Sequence, residues 1–382
     1  MLSMHSSASE LVVHDDAIRE NTARFSAMTE GRVMAVLKAD AFGHGAIARS
    51  VLESGATSVG VTSVDEALAL RATGVGAPIL SWLNTPDADF ETAVRENVDL
   101  AVPSVELLYS IGRAALRAGR PARVHLHIDV GMARDGCSAR DWSTLCALAR
   151  EHEALGAVRV VGVMGHMSCA DEPENPQNTR ERLVFESAVR TARRRALAPH
   201  ILHLAATSAT LNGVASGFDV HRIGAGLFGI DPSSRTNMLR PAVTLTSSVV
   251  SSREVTAGTG VGYGLDFVAQ NRTNLALLPV GYGDGLPREA SGRAEVFARG
   301  RRRPLVGRFS MDMVVVDTGD DVLRPNERVT VFGPGAEGEP TVAEWAEWSR
   351  TIEHEIVTRL GNRIPRIHRT IDTSSPSQGD KS

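Results

Sequence analysis

Cysteine, aromatic residues, a surplus of basic charge and long apolar runs are all scarce in this chain, and each scarcity removes a class of protein. The 382 residues include only three cysteines, Cys137, Cys146 and Cys169. An odd number without CxxC spacing argues against a disulfide framework or a structural zinc site, and fits a reducing, cytoplasmic setting. Aromatics are 4% of the chain and the formal net charge is −4. Base stacking requires aromatics and phosphate tracking requires a basic surplus, so nucleic acid is not the expected partner. No apolar run approaches the ~18 residues of a membrane-spanning helix. The start, MLSMHSSASE, has no charged segment followed by an apolar one, so no secretory signal is expected. Tyrosine occurs only three times, at Tyr109, Tyr263 and Tyr282.

What is present points to two domains, because single cores stop growing near ~250–300 residues. Short apolar runs at 33–38, 58–62, 78–82, 98–102, 124–130, 158–165, 201–205 and 220–228 read as strands. Helix-period segments at 64–73, 105–119, 142–152 and 180–196 lie between several of them. This alternation predicts a (β/α)8 TIM-like barrel over 11–238, with a doubly wound sheet as the alternative. From 239 to 372, alternating apolar runs broken by glycine predict a mostly β domain interrupted by one short helix at 342–348. Residues 11–14 precede the first barrel strand and are candidates to pair with the β domain instead. The polar tail 373–382 is expected to be disordered.

A (β/α)8 barrel carries its active site at the C-terminal ends of its strands. Those ends hold Lys38, the segment from Asp129 to Arg134, His166, Thr207 with Ser208, and the segment from Arg222 to Ala225. Lys38 closes an apolar strand, where a desolvated amine titrates low, as a Schiff-base nucleophile requires. A lysine that only reaches past the barrel rim is the competing reading.

The motif around this lysine, AVLKADAFGHG, resembles that of the alanine racemases. Further matches follow in order: DVGMARDG (129–136), GHMSCADE (165–172), HLAATSAT (203–210), HRIGAGLFGID (221–231), GYG (262–264), GYGDGLPR (281–288), VGRFSMD (306–312) and RIPRIH (363–368). They span both domains, so the resemblance is specific.

The resemblance implies a pyridoxal 5'-phosphate enzyme, an isomerase that interconverts L- and D-alanine with two bases, Lys38 and Tyr263. Lys38 would carry the cofactor. Its phosphate would lie near Thr207, Gly224 and Ala225, where a hydroxyl and backbone amides donate. Arg222 aligns with an arginine facing the pyridine nitrogen, and an arginine does not hand over its proton as an acid would. His166 and Arg222 match residues behind the tyrosine. Arg134 matches an arginine that binds the substrate carboxylate. In this family Tyr263 reaches the site from a second subunit, which implies a homodimer. Met311 and Asp312 match entrance residues from that partner, and Tyr282 aligns with an entrance tyrosine, with a purely structural role as its alternative. No metal is implied. The alternative for His166 is a metal ligand with Asp171 or Glu172.

The chain also departs from the family. A phosphate-contacting tyrosine is Phe42, another is His354, a strand-8 tyrosine is Phe228, and the usual Asn-Ser after strand 7 is Ala206-Thr207. His354 is assigned to the cofactor shell, and its polarity suggests a racemase of serine or another small polar amino acid as the alternative function. The often carbamylated lysine is His127. Arg134 must then be held by another acid or a bound anion, or be less fixed. A non-catalytic pyridoxal-phosphate carrier and a metal-assisted lyase share the architecture, but the carriers resemble only the barrel half. The lyase reading lacks a ligand cluster in the second domain.

Overall fold

The computed structural model describes residues 8–369, so the tail 373–382 lies outside the described residues. Within it the chain forms two compact units. Of the described residues, one unit comprises 19–41 and 46–239, and the other comprises 8–18, 42–45 and 240–369.

The first strand, β1 (Ser9–His14), belongs to the second of these units, where it pairs antiparallel with a strand near 245 and parallel with one near 367. The barrel unit is built on β2 (Val33–Val36), β3 (Ala56–Val61), β4 (Ile79–Ser81), β5 (Val98–Val102), β6 (Ala122–His127), β7 (Val158–Met164), β8 (Ile201–His203) and β9 (His221–Ile223). These form one eight-stranded sheet in the order β8-β7-β6-β5-β4-β3-β2-β9, every pairing parallel. The sheet curls shut: Arg222 N donates to Ala205 O at 3.0 Å and Ala206 bridges to Arg222, joining its two edges. Strands covered on both faces read as continuous apolar runs, and β2 and β5 are buried at every position.

Local signals start the helices between strands. Ser63, Asp89 and Ser104 each accept a backbone N–H from the first turn of the helix that follows, and Pro176 opens the long helix Pro176–Arg194. Gly119 in the left-handed region ends Val105–Ala118.

Some expected boundaries move. The strand expected at 220–228 stops at Ile223 and gives way to a 3-10 turn, Ala225–Phe228. A Cβ on Gly226 in this turn would meet the Phe25 ring at 2.5 Å, so glycine lets the turn pack against that ring. Expected strand residues 128–130 lie instead in the loop after β6, and Lys38 lies past β2 in a turn of its own.

The second unit has a nine-stranded mixed sheet, to which β1 contributes, with chain-distant strands side by side. Two short helices, Val342–Trp348 and Glu353–Thr358, interrupt it where one was expected. The second escapes a reading of the sequence although Ile352, Ile356 and Leu360 keep a four-residue spacing, because a six-residue helix is too short for that spacing to stand out from a loop.

Candidate active site

The barrel unit gathers Lys38, Arg134, His166, Thr207, Arg222, Gly224 and Ala225 at or beyond the C-terminal ends of its strands. Lys38 is half-buried and opens an unusual turn. Ala39, Asp40, Ala41 and Phe42 have φ of 54°, 52°, 52° and 56°, so four successive non-glycine residues run left-handed. Each such residue costs about 1–2 kcal/mol, and only surrounding contacts keep the turn in place. Burial holds the Lys38 amine below its ordinary range, and Arg134 and Arg222 act in the same direction while Glu66 opposes them.

Arg222 is buried on β9, next to β2 through the Met34–Arg222 pairing. Among the described residues no carboxylate pairs with it. Its guanidinium donates to His203 Nδ1 and His203 O, both at 3.0 Å, to Leu204 O at 3.1 Å, to Gly165 O at 2.6 Å and to His166 Nδ1 at 3.2 Å. Burial, then the charge of Arg134, draws its pKa down to about 10, so it remains a cation at neutral pH.

Because a guanidinium has only donors, the tautomers behind it are determined. His203 Nδ1 must accept, so its proton sits on Nε2 and donates to His125 Nδ1, 2.8 Å away. His125 then carries its proton on Nε2, 3.3 Å from Asp99 Oδ2, and Asp99 also accepts from Arg123 at 2.7 and 3.0 Å. Burial alone would raise the Asp99 pKa, but the bonds from His125 and Arg123 hold it below the usual carboxylate range. A polar chain thus crosses the barrel interior from Arg222 to Asp99. Burial, reinforced by Arg222, pushes the His166 pKa down to about 3. His166 is therefore neutral, and with Nδ1 accepting from Arg222 its Nε2–H faces away.

Three loops complete this face. Asp129 accepts from the backbone amides of Gly131 at 2.9 Å, Met132 at 3.0 Å and Ala133 at 3.1 Å, which shapes the turn presenting Arg134. Arg134 is exposed and makes no hydrogen bond or ion pair among the described residues. The site of the family's modified lysine is filled differently: buried His127 Nδ1 lies 3.5 Å from Asp135 Oδ2, and His127 holds Asp135 below its usual range. After β7, Ser168 N donates at 3.0 Å to buried Glu181, fixing the segment that begins at His166. After β8, the Thr207 hydroxyl accepts from Gly224 N and Gly226 N, each at 3.3 Å. Its own proton is left free to donate elsewhere.

The second unit brings Tyr263, Tyr282, Met311 and Asp312 onto neighbouring loops. Tyr263 sits in a one-turn 3-10 segment between Gly262 and Gly264, both left-handed. Gly262 approaches Arg308 N, and a Cβ on Gly307 would meet Val261 O at 2.7 Å, so this turn packs against the loop that continues to Met311. Tyr282 N donates to Ser310 O at 3.1 Å and Gly283 N to Met311 O at 2.8 Å. Asp312 pairs at 2.7 Å with Arg363, which also holds Asp284 at 2.9 Å. His354, half-buried, opens Glu353–Thr358 beside the buried Phe42 ring, centroids 6.0 Å apart.

Reading the sequence missed Glu66, Asp99, His125, Glu181 and Asp135, and left His203 without a role. A signal existed for Asp99, the one polar residue of the otherwise apolar strand β5. Among the described residues no group of three or more His, Cys, Asp or Glu is arranged to hold a metal ion. No described helix is long and apolar enough to cross a membrane.

Comparison with known proteins agrees over the full length. Family models described as alanine racemase N-terminal domain and C-terminal domain match residues 13–232 and 242–368. An alanine racemase of Thermobifida fusca is 42% identical over 368 residues, covering 95% of this chain and 98% of that one. Among solved structures, alanine racemase from D-cycloserine producing Streptomyces lavendulae superposes with a TM-score of 0.93 at 38% identity, covering 95% and 97% of the two chains. The Bacillus anthracis alanine racemase, solved with bound L-Ala-P, gives 0.89 at 29% identity, covering 97% of each.

Proposed function

Because this chain belongs to the alanine racemase family, we propose that it is an isomerase that interconverts L- and D-alanine with pyridoxal 5'-phosphate, and so supplies D-alanine. The observation that carries the reading is the pair of neighbouring strand ends that holds a desolvated lysine, Lys38, beside a cation, Arg222, bonded only to neutral groups. When bound, the cofactor supplies a sink for the electron pair left as the α-proton departs.

The residues present fit that group. The Lys38 amine titrates low, as covalent attachment to an aldehyde requires. The Thr207 hydroxyl accepts from Gly224 N and Gly226 N and keeps its own proton to donate, so with the Ala225 amide between them it forms a donor set suited to a phosphate. Arg222 faces the ring nitrogen in this reading. With a pKa of about 10 it retains its proton, which limits delocalisation into the ring and disfavours transamination. Arg134, which makes no hydrogen bond or ion pair among the described residues, receives the substrate carboxylate.

Lys38 serves as the base on one face of the substrate and Tyr263 on the other. Tyr263 is supplied by a second copy of the chain, with His166 behind it and Met311, Asp312 and Tyr282 at the entrance. Exposed Tyr263, Leu265 and Met311 on adjoining loops support such a homodimer. Three unpaired cysteines support a cytoplasmic setting. The two-domain division near 238 follows from the same reading.

Deuterium uptake at Cα, measured for L- and D-alanine in deuterated buffer with added cofactor, tests the proposal. Both enantiomers should exchange in the natural protein. Tyr263→Phe should lose exchange from one enantiomer far more than from the other, and absence of exchange from both in the natural protein would refute the enzyme reading.

A further inference from the structure

The left-handed turn after Lys38 begins where the barrel ladder runs out of acceptors. Leu37 N donates to Gly60 O of β3 at 2.9 Å, so the next acceptor along β3 for Ala39 N is Thr62 O. That carbonyl is already taken by Trp82 N at 3.2 Å, Leu83 N at 2.6 Å and the Ser81 hydroxyl at 3.1 Å. Ala39 N donates instead to Glu66 Oε1 at 2.7 Å. The other oxygen, Oε2, accepts from Thr62 N at 2.8 Å, Thr62 Oγ1 at 2.6 Å and Ser63 N at 3.4 Å. Glu66 is therefore anchored to the end of β3 by one oxygen and bonded to the first left-handed residue by the other.

We propose that Glu66 is a positioning residue that holds the left-handed turn at Ala39 and so aims the Lys38 amine into the site. This rests on the reading of Lys38 as the cofactor lysine. Both oxygens are needed as acceptors, because an amide in place of the carboxylate would turn an NH2 group toward either Ala39 N–H or Thr62 N–H. Burial works against the Glu66 charge, but the bonds from Thr62, Ala39 and Ser63 prevail and keep it ionised. Its charge also opposes the effect of Arg134 and Arg222 on Lys38. Ser63 separates this role from helix capping: its hydroxyl accepts from Glu66 N at 3.2 Å and touches nothing at Ala39.

The test uses the full-length protein, natural and as Glu66→Gln, Glu66→Asp and Ser63→Ala. Hydrogen exchange followed by mass spectrometry should show the amides of residues 38–42 opening about tenfold or more faster in Glu66→Gln, the scale of one lost bond to a charged group. Ser63→Ala, which weakens only the cap, should leave them unchanged. The pH midpoint for reductive methylation of Lys38 should fall in Glu66→Gln. It should stay near the natural value in Glu66→Asp, which keeps the charge but shortens its reach, while the 38–42 amides open there too. Unchanged exchange at 38–42 in Glu66→Gln overturns the proposal, and so does equal opening in Ser63→Ala. Borohydride reduction of the cofactor-loaded natural protein reports separately on the premise: a pyridoxyl label on any lysine other than Lys38 overturns the functional reading, whereas the exchange result still decides whether Glu66 holds the turn.

Discussion

Arg222 keeps its charge in the barrel interior on neutral acceptors alone, which makes His203 critical. Replacing His203 by Phe removes the ring acceptor of a buried guanidinium and the donor to His125. It should lower stability by about 1–3 kcal/mol or more, read as the denaturant midpoint. The histidines also set a pH dependence. His166 and His203 both titrate below their ordinary range because burial disfavours their cations. As pH falls below the unfolded value of ~6.5, the unfolded chain takes up protons first, so stability is full above that pH and declines toward about 3, where His166 titrates. Thermal midpoints should drop from pH 7 to pH 4, less steeply in His166→Asn; equal slopes would count against this account. His354 and Phe42 face each other with no phenol between them, where the resemblance to the alanine racemases implies two tyrosines. If His354 makes the pocket more tolerant of polar side chains, His354→Tyr should lower kcat/KM for L-serine relative to L-alanine, and an unchanged ratio would sink that idea.

Among the elements, the barrel strands were visible because burial on both faces leaves an unbroken apolar run. Their polar interior was less visible, since a single Asp or His inside such a run carries no mark of its partner on another strand. Gly162 on β7 shows how closely this layer is fitted. A Cβ there would lie 2.3 Å from His125 Nδ1 and 2.7 Å from Ile201 O, so glycine is present to make room for the imidazole. Gly162→Ala should cost about 1–3 kcal/mol in thermal or denaturant unfolding, and combining it with His125→Ala should recover part of that loss. The turn at 39–42 is a second element that no pattern announces. Propensity would not place Ala, Asp, Ala and Phe in the left-handed region, and contacts from outside the segment keep them there.

For the whole molecule, the proposed shared site makes a prediction that no single chain can satisfy. Lys38→Ala and Tyr263→Phe should each be nearly inactive alone. Mixed under conditions that exchange subunits, they should regain about a quarter of natural activity, since random pairing makes half the dimers hybrid with one intact site each. No recovery, with exchange verified by sedimentation, would mean that both bases come from one chain. The amino-acid sequence by itself determined the family, the two kinds of secondary structure and most residues at the strand ends, because periodicity and ordered motifs are local properties of the chain. Only the tertiary structure decided that β1 leaves the barrel for the second sheet, that Arg222 is held by His203 and His166 without an acid, and that Glu66 secures the turn beside Lys38. Those outcomes depend on which groups from distant segments are left without a hydrogen-bond partner when the strands come together, and that competition exists only in the folded chain.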